Sequence, residues 1–262
     1  MDNGSVALTQ LYERMVRGEI RIEFDKIGFF NFGYWKGVED SVEIAQINLI
    51  ETLVAFFSRT EGTVLDVACG KGASTKFLTK YFEPENITGI NISEVQLQVC
   101  RAVAPECNFQ LMNATKLEFA DSSFDNVLCI EAAQHFMTRD KFLLEAYRVL
   151  KPGGRLAIHD WVFHNPDRVD TPDPEIWPKE NYLPDLKTYK SNLSKIGFSH
   201  VRVDDITEFS LFPAIRSVVR KFERDVTRTK NYKALECLMK DLDDNSPGNS
   251  RNSSWCMAYA IK

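Results

Sequence analysis

The chain has 262 residues, of which 44% are hydrophobic and 26% charged, an ordinary globular composition with a formal net charge of −5. Its basic residues are scattered, which argues against a nucleic-acid partner and against a polybasic membrane anchor. Since there is no signal-like start and no apolar run near the ~18 residues of a membrane span, we expect no membrane association and a cytoplasmic protein. The six cysteines and four histidines lack metal-ligand spacing, so no metal site is predicted.

The first sixty residues are predicted to form two helices separated by an aromatic loop. Apolar residues recur at helical spacing over 5–18 and again over 40–58. The segment between them, 26–37, is rich in aromatic residues and punctuated by glycines, which favours a loop.

From residue 63 onward, short apolar runs alternate with helical segments. The predicted strands are 63–67, 87–90, 109–112, 125–130 and 155–159, and the predicted helices are 72–82, 93–103 and 139–150. The Lys-Pro-Gly-Gly sequence at 151–154 indicates a helix stop followed by a turn. Strands alternating with helices predict a doubly wound α/β fold with a mostly parallel sheet.

The last hundred residues are predicted to close the sheet. Prolines concentrated in 161–184 predict a long ordered loop or lid. A helix, a strand, a mostly helical insert, a polar loop and a last strand are expected at 185–196, 200–206, 210–242, 243–253 and 254–261. The two late strands suit a hairpin-like pair near one edge, which brings the sheet to seven strands.

The segment VLDVACGKG, residues 64–72, carries the first functional signal. Ligands of open α/β sheets bind at the carboxyl ends of the strands, where glycine lets the backbone approach closely. The segment lacks the third glycine of a dinucleotide loop and the spacing of a phosphate-binding P-loop. It resembles motif I of the class I S-adenosylmethionine (SAM)-dependent methyltransferases. That resemblance implies that Asp66, Ala68, Gly70 and Gly72 position the methionyl part of SAM.

The second predicted strand ends in GINISEVQ, residues 89–96. This string resembles small-molecule and lipid methyltransferases, including the cyclopropane synthases. The resemblance implies that Asn91, Ile92 and Gln96 hold the ribose of SAM. Many class I enzymes have an acidic residue where this chain has Asn91.

The third predicted strand ends in Met-Asn-Ala, where the family often has Asp-Ala. The resemblance implies that Asn113 accepts from the adenine N6 amino group through its amide oxygen, and that the backbone N–H of Ala114 binds adenine N1.

Three further strings extend the resemblance over residues 12–208, with five motifs in the family's order. FDNVLCIE, ending at Glu131, resembles motif IV, and RVLKPGG at 148–154 resembles the turn that follows it. NFGYW at 31–35 resembles the N-terminal lid of natural-product methyltransferases. The resemblance implies that Tyr34 closes over the carboxylate and methyl of SAM and that Glu131 is a cofactor-binding residue.

A closer resemblance, to natural-product O-methyltransferases such as the one acting on the rebeccamycin sugar, includes His135 and Asp160. In that subgroup a His after strand four and an Asp after strand five face the acceptor. An alcohol is a poor nucleophile until its proton leaves, and a His suits the role of base. We therefore predict that His135 is the general base and that Asp160 orients it or binds the acceptor hydroxyl.

The leading hypothesis is O-methylation of a small molecule, typical of secondary metabolism. Alternatives are N- or C-methylation, a non-catalytic SAM-binding module and, less favoured, a dinucleotide oxidoreductase. We predict one domain over 1–262, with the N-terminal helices and lid in 1–60, the SAM-binding core in 61–160 and acceptor-pocket elements in 161–262. The N-terminal helix could also support a homodimer.

Overall fold

The computed structural model describes residues 3–19, 28–37, 40–57, 62–164, 176–224 and 253–262. The middle of the predicted proline-rich loop and most of the predicted insert and polar loop lie outside the described residues. The helices are α1 (Asn3–Val16), α2 (Val42–Val54), α3 (Ala73–Leu78), α4 (Glu94–Val103), α5 (Arg139–Val149), α6 (Leu186–Ile196) and α7 (Leu211–Arg224). The strands are β1 (Val64–Val67), β2 (Ile87–Asn91), β3 (Asn108–Leu111), β4 (Phe124–Ile130), β5 (Leu150–Phe163), β6 (Ser199–Asp205) and β7 (Ser253–Ile261).

The strands form one seven-stranded sheet in the order β3-β2-β1-β4-β5-β7-β6. The first five pair in parallel, while β7 is antiparallel to both β5 and β6. The predicted mostly parallel, doubly wound sheet with a hairpin-like edge is confirmed. The chain order reverses at β1, which lies between β2 and β4, and this reversal opens a crevice at the carboxyl ends of the strands.

Alternating side chains of the central strands pack against helices on both faces of the sheet. Val127 contributes to a core with Phe142 of α5 and Tyr189 of α6. The next residue, Leu128, belongs to the opposite core with Leu49 of α2. Burial on both faces explains why the central strands read as near-continuous apolar runs.

Strand β5 is longer than the predicted strand at 155–159. Its N-terminal part contains an irregularity, because Phe124 pairs with Leu150 whereas Asn126 already pairs with Arg155. The predicted turn at 151–154 is therefore taken up as a bulge within the strand. At its other end, pairing with β7 extends β5 to Phe163, into the segment predicted as a loop.

Helix α1 and residues 28–35, which we call the strap, fold over the carboxyl ends of the strands. The hydroxyl of Ser93, before α4, donates to Glu13 of α1 at 3.0 Å. In the strap, the backbone N–H of Tyr34 donates to Ala45 O at 2.8 Å and that of Trp35 to Phe209 O at 2.7 Å.

Among the described helices, none is long and apolar enough to cross a membrane.

Gly33 is the position where the strap depends on a missing side chain. Its φ is +81°, and a Cβ there would lie 2.7 Å from the backbone carbon of Ala45. We predict that Gly33→Ala lowers the free energy of unfolding by about 2–4 kcal/mol, since it adds overpacking to left-handed backbone strain. Gly153→Ala is the matched control, because Gly153 has a φ of +78° and no atom near its missing Cβ. That variant should lose only about 1–2 kcal/mol in urea denaturation. Equal losses in the two variants would contradict this packing.

Candidate active site

A cavity opens at the carboxyl ends of β1, β2 and β4, beneath α1 and the strap. Its volume is about 1070 Å³ when the open solvent at its mouth is included. The predicted site residues in its wall are Asp66, Ala68, Gly70, Asn91, Ile92, Gln96, Asn113, Ala114, Glu131 and His135. Three predicted residues, Tyr34, Gly72 and Asp160, are not in the wall.

Asp66 is the residue before the last in β1, and only 1% of its surface is exposed. Its Oδ2 accepts hydrogen bonds from the hydroxyls of Ser74 and Thr75, both at 2.7 Å. Burial raises the pKa of this carboxyl to about 6, although the two hydroxyl donors act in the opposite direction. Ala68 then turns the chain with a φ of +57°, a conformation uncommon for a residue with a side chain. The turn thus presents a buried carboxylate and open backbone to the cavity.

Gly72 serves the packing of this turn rather than the cavity wall. It precedes α3 with a φ of +83°, and a Cβ there would lie 3.0 Å from the Cα of Cys100. The absence of a side chain therefore lets the start of α3 approach α4 closely. Gly72 is not in the cavity wall, and its predicted binding of the cofactor stays a prediction.

At the end of β2, Asn91 uses both ends of its amide locally. Its Oδ1 accepts from the N–H of Ser93 at 2.9 Å, and its Nδ2 donates to Oε1 of Gln96 at 3.2 Å. Because the Gln96 oxygen is held in this way, the amide nitrogen of Gln96 is the group left to donate to a ribose hydroxyl. Asn91 thus orients Gln96 in place of supplying a carboxylate.

At the end of β3, Asn113 also turns its oxygen inward. Oδ1 accepts from both the backbone N–H and the hydroxyl of Thr115, each at 2.9 Å. The amide oxygen is thus bonded to Thr115, and its acceptance of a hydrogen bond from the adenine amino group stays a prediction. Asn113 and Ala114 still line the cavity, where the backbone N–H of Ala114 keeps its predicted role as a proposal.

Glu131 joins the end of β4 to the strap. Its Oε1 accepts from the backbone N–H of Phe32 at 2.8 Å and lies 3.1 Å from Nδ1 of the buried His159. Its backbone has a φ of +48°, which directs the chain away from the sheet toward His135. Glu131 therefore lines the cavity and also holds the strap in place.

Tyr34 was predicted to close over the cofactor, but in the structure it does not line the cavity. Its ring lies 5.8 Å from that of Phe209 and packs at the margin of the core that contains Trp255. The physical reason is the turn at Gly33, after which the strap continues along α2 and away from the cavity. The preceding residues Phe30 and Asn31 line the cavity instead.

Sequence reasoning did not assign Asn31 and Tyr12 to the site. Asn31 is 2% exposed, and no described residue bonds its Oδ1. A buried unpaired acceptor in a cavity wall suits a ligand that brings N–H or O–H donors, as the ammonium and ribose of SAM do. Tyr12 of α1 has its ring 6.2 Å from that of His135, and burial, then Glu131, raises the pKa of its hydroxyl to about 12. Their only sequence signals were the strap motif and the apolar face of the first helix.

His135 lies at the far end of the cavity, after β4, with its ring 4.3 Å from that of Trp177. Its Nδ1 is 2.9 Å from the carbonyl oxygen of Ile176. Because a carbonyl oxygen only accepts hydrogen bonds, Nδ1 carries the proton of the neutral ring and Nε2 keeps a lone pair. Burial lowers the pKa of His135 to about 4, so the ring is neutral at physiological pH.

Asp160 does not orient this ring. It is fully buried, and its Oδ2 accepts from Nε of Arg139 at 2.7 Å. The strand alternation explains the difference, because Asp160 points into the core beneath α5 while the cavity opens beyond the strand ends. The predicted direct role of Asp160 toward His135 or the acceptor is corrected accordingly.

The mostly parallel seven-stranded sheet, with a cavity at the carboxyl ends of β1, β2 and β4, is the arrangement expected of a class I SAM-dependent methyltransferase. Residues 65–158 match the family described as "Methyltransferase domain". An O-methyltransferase of Aspergillus nomiae is 32% identical over 198 residues, which cover 70% of this chain and 86% of that protein. The chain belongs to this methyltransferase family.

One further relative and two solved structures extend the comparison. The erythromycin 3''-O-methyltransferase of Saccharopolyspora erythraea is 30% identical over 239 residues, covering 81% of this chain and 77% of that one. Among solved structures, the geranyl diphosphate C-methyltransferase of Streptomyces coelicolor has a TM-score of 0.74 at 13% identity, over 99% of this chain and 98% of that one. The [4+2]-cyclase SpnF has a TM-score of 0.73 at 19% identity, over 98% and 96%. These two structures show the fold alone.

The pKa of Asp66 gives a testable pH dependence of SAM binding. A cationic ammonium binds the carboxylate and not the carboxylic acid, so the affinity should fall as the pH drops through about 6. We predict about ten-fold weaker binding at pH 5 than at pH 7.5, measured by calorimetric titration. Asp66→Asn, which cannot ionise, should bind SAM weakly with little pH dependence. A flat profile for the wild-type protein would contradict the assignment of Asp66.

Proposed function

We propose that this methyltransferase transfers the methyl group of SAM to a hydroxyl of an uncharged, largely apolar small molecule, with His135 as general base. The observation that carries the proposal is the hydrogen bond from His135 Nδ1 to the carbonyl oxygen of Ile176. It fixes the neutral tautomer in which Nε2 has a lone pair available for a proton.

The residues of the chain mainly align and deprotonate the acceptor. SAM supplies an electrophilic methyl group and leaves as a neutral thioether, so the protein need not activate the donor. An alcohol, in contrast, becomes a good nucleophile only as it loses its proton. His135 lines the same cavity as Asp66 and Asn91, which supports proton removal beside the bound cofactor.

The low pKa of His135 keeps the ring unprotonated but also makes it a weak base. A ring with a pKa of about 4 stays unprotonated across the physiological range. Its weak basicity suits a proton transfer that is concerted with methyl transfer, since the acceptor oxygen becomes more acidic as its bond to carbon forms.

The wall around His135 indicates the class of acceptor. The cavity wall also contains Leu8, Tyr12, Phe30 and Phe136, which are apolar or aromatic, and the Tyr12 ring lies 6.2 Å from that of His135. In the described wall the only lysine or arginine is Lys71, at the motif I turn, 4.9 Å from the centre of the Phe30 ring. The apolar and aromatic side chains of the described wall support a largely apolar hydroxylated molecule as the acceptor.

The relatives support the same reaction. Both curated relatives described above are named as O-methyltransferases, and one acts on erythromycin at a 3''-hydroxyl by its name. We therefore infer a secondary metabolite as the acceptor. A homodimer also stays a prediction. In α1, Leu8 lines the cavity whereas Val6 is exposed to solvent.

The test of the proposed base is His135→Ala. We predict a loss of about 10²-fold or more in kcat, the usual contribution of a general base, with the Kd for SAM unchanged. Single-turnover rates over a panel of neutral polyketide, terpenoid and sugar alcohols would measure it. His200→Asn is the control, since His200 is exposed on β6 and its φ of +50° suits Asn.

Two other outcomes would lead to different conclusions about the reaction. Normal turnover by His135→Ala would overturn the base role and favour an amine or activated carbon acceptor, for which alignment suffices. SAM binding without methyl transfer to any acceptor would favour a non-methylating function on this fold.

A further inference from the structure

A buried ion pair lies directly behind the loop that carries His135. Arg139, the first residue of α5, pairs with Asp160 of β5, and their side chains are 3% and 0% exposed. Buried charges are costly unless they are paired and hydrogen-bonded further. The two terminal nitrogens of the Arg139 guanidinium also donate, Nη1 to the backbone carbonyl of Asn181 and Nη2 to that of Trp161.

Asn181 connects this ion pair to the His135 loop. Its Oδ1 accepts from the backbone N–H of Arg139 at 2.7 Å. Its Nδ2 donates to the carbonyl oxygens of Gln134 at 2.9 Å and Phe136 at 2.8 Å. One amide side chain, 5% exposed, therefore bonds the residue before His135 and the residue after it.

The same chain segment also bonds the ring itself. Ile176, whose carbonyl fixes Nδ1 of His135, lies five residues before Asn181. Residues 176–181 thus hold His135 through its ring and through the backbone carbonyls of the residues before and after it. The Arg139–Asp160 pair anchors this segment to the sheet, because Asp160 belongs to β5 and Arg139 bonds the backbone and side chain of Asn181.

We propose that Asn181, anchored by the Arg139–Asp160 ion pair, is the positioning residue that holds His135 toward the acceptor. The inference rests on the proposed role of His135 as base. It assigns to Asp160 an indirect function, which reaches the cavity through Arg139 and Asn181. Proton transfer is sensitive to placement, and a displacement of about 1 Å can cost on the order of 10²-fold in rate.

The test is Asn181→Ala, which removes the side-chain amide but keeps the backbone carbonyl that accepts from Arg139. We expect kcat to fall about 10- to 100-fold, while the Kd for SAM stays within about two-fold. The apparent pKa in the pH profile of kcat should rise from about 4 toward 6.5, because a released ring is better solvated. A side chain with a purely structural role would not move that profile. Asn108→Ala is the control, since Asn108 is exposed on the edge strand β3 and donates to Glu85 O.

The double variant His135→Ala/Asn181→Ala shows whether Asn181 acts through His135. We expect it to be no slower than His135→Ala alone, because residues that act as one unit are not additive. Normal kcat in Asn181→Ala, or losses that multiply in the double variant, would overturn this inference and leave the base role intact. Normal kcat in His135→Ala would overturn both. If Asn181→Ala does not fold, Asn181→Ser provides the same comparison.

Discussion

Parallel pairing of β1 with both β2 and β4 is the constraint on which the site depends. Val67 of β1 lies level with Ile90 of β2 and Cys129 of β4, so the three strands end together. The polar residues at those ends, Asp66 and Asn91 among them, are therefore brought to one cavity although they are distant in sequence. The turns that follow need unusual backbone conformations, such as the positive φ of Ala68, which are sustained by the packed strands around them.

Helix α1 and the strap cover these strand ends and bury the polar side chains of the site. Helix α1 and the strap are attached by a few specific bonds, such as Glu131 to Phe32 N–H and Ser93 to Glu13. The resulting burial raises the pKa of Asp66 and lowers that of His135, so both groups shift in the direction of their neutral forms. A methyl donor with a positive charge is favoured beside Asp66 once that carboxyl ionises, whereas a neutral imidazole is favoured at the other end.

The sequence predicted the sheet, the motif I turn and His135 because these depend on local patterns, namely apolar strands, glycine spacing and a residue at a strand end. It did not predict long-range contacts. Tyr34 leaves the cavity because of a tight turn packed on α2, and Asp160 turns to Arg139, which no short motif connects to it. Asn113 lines the cavity as predicted, and the local bonds of its amide oxygen to Thr115 had no signal in the sequence. Asn181 follows β5 by some twenty residues and reaches His135 only through the folded chain.

The central claim is that His135 is a neutral base whose proton is on Nδ1. The most direct measurement is ¹⁵N NMR of the histidine rings across pH, with His135→Ala used to assign the signals. The account predicts the Nδ1–H tautomer at neutral pH and a titration midpoint near 4. An Nε2–H tautomer, or a ring that titrates near 6.5 as in water, would contradict it.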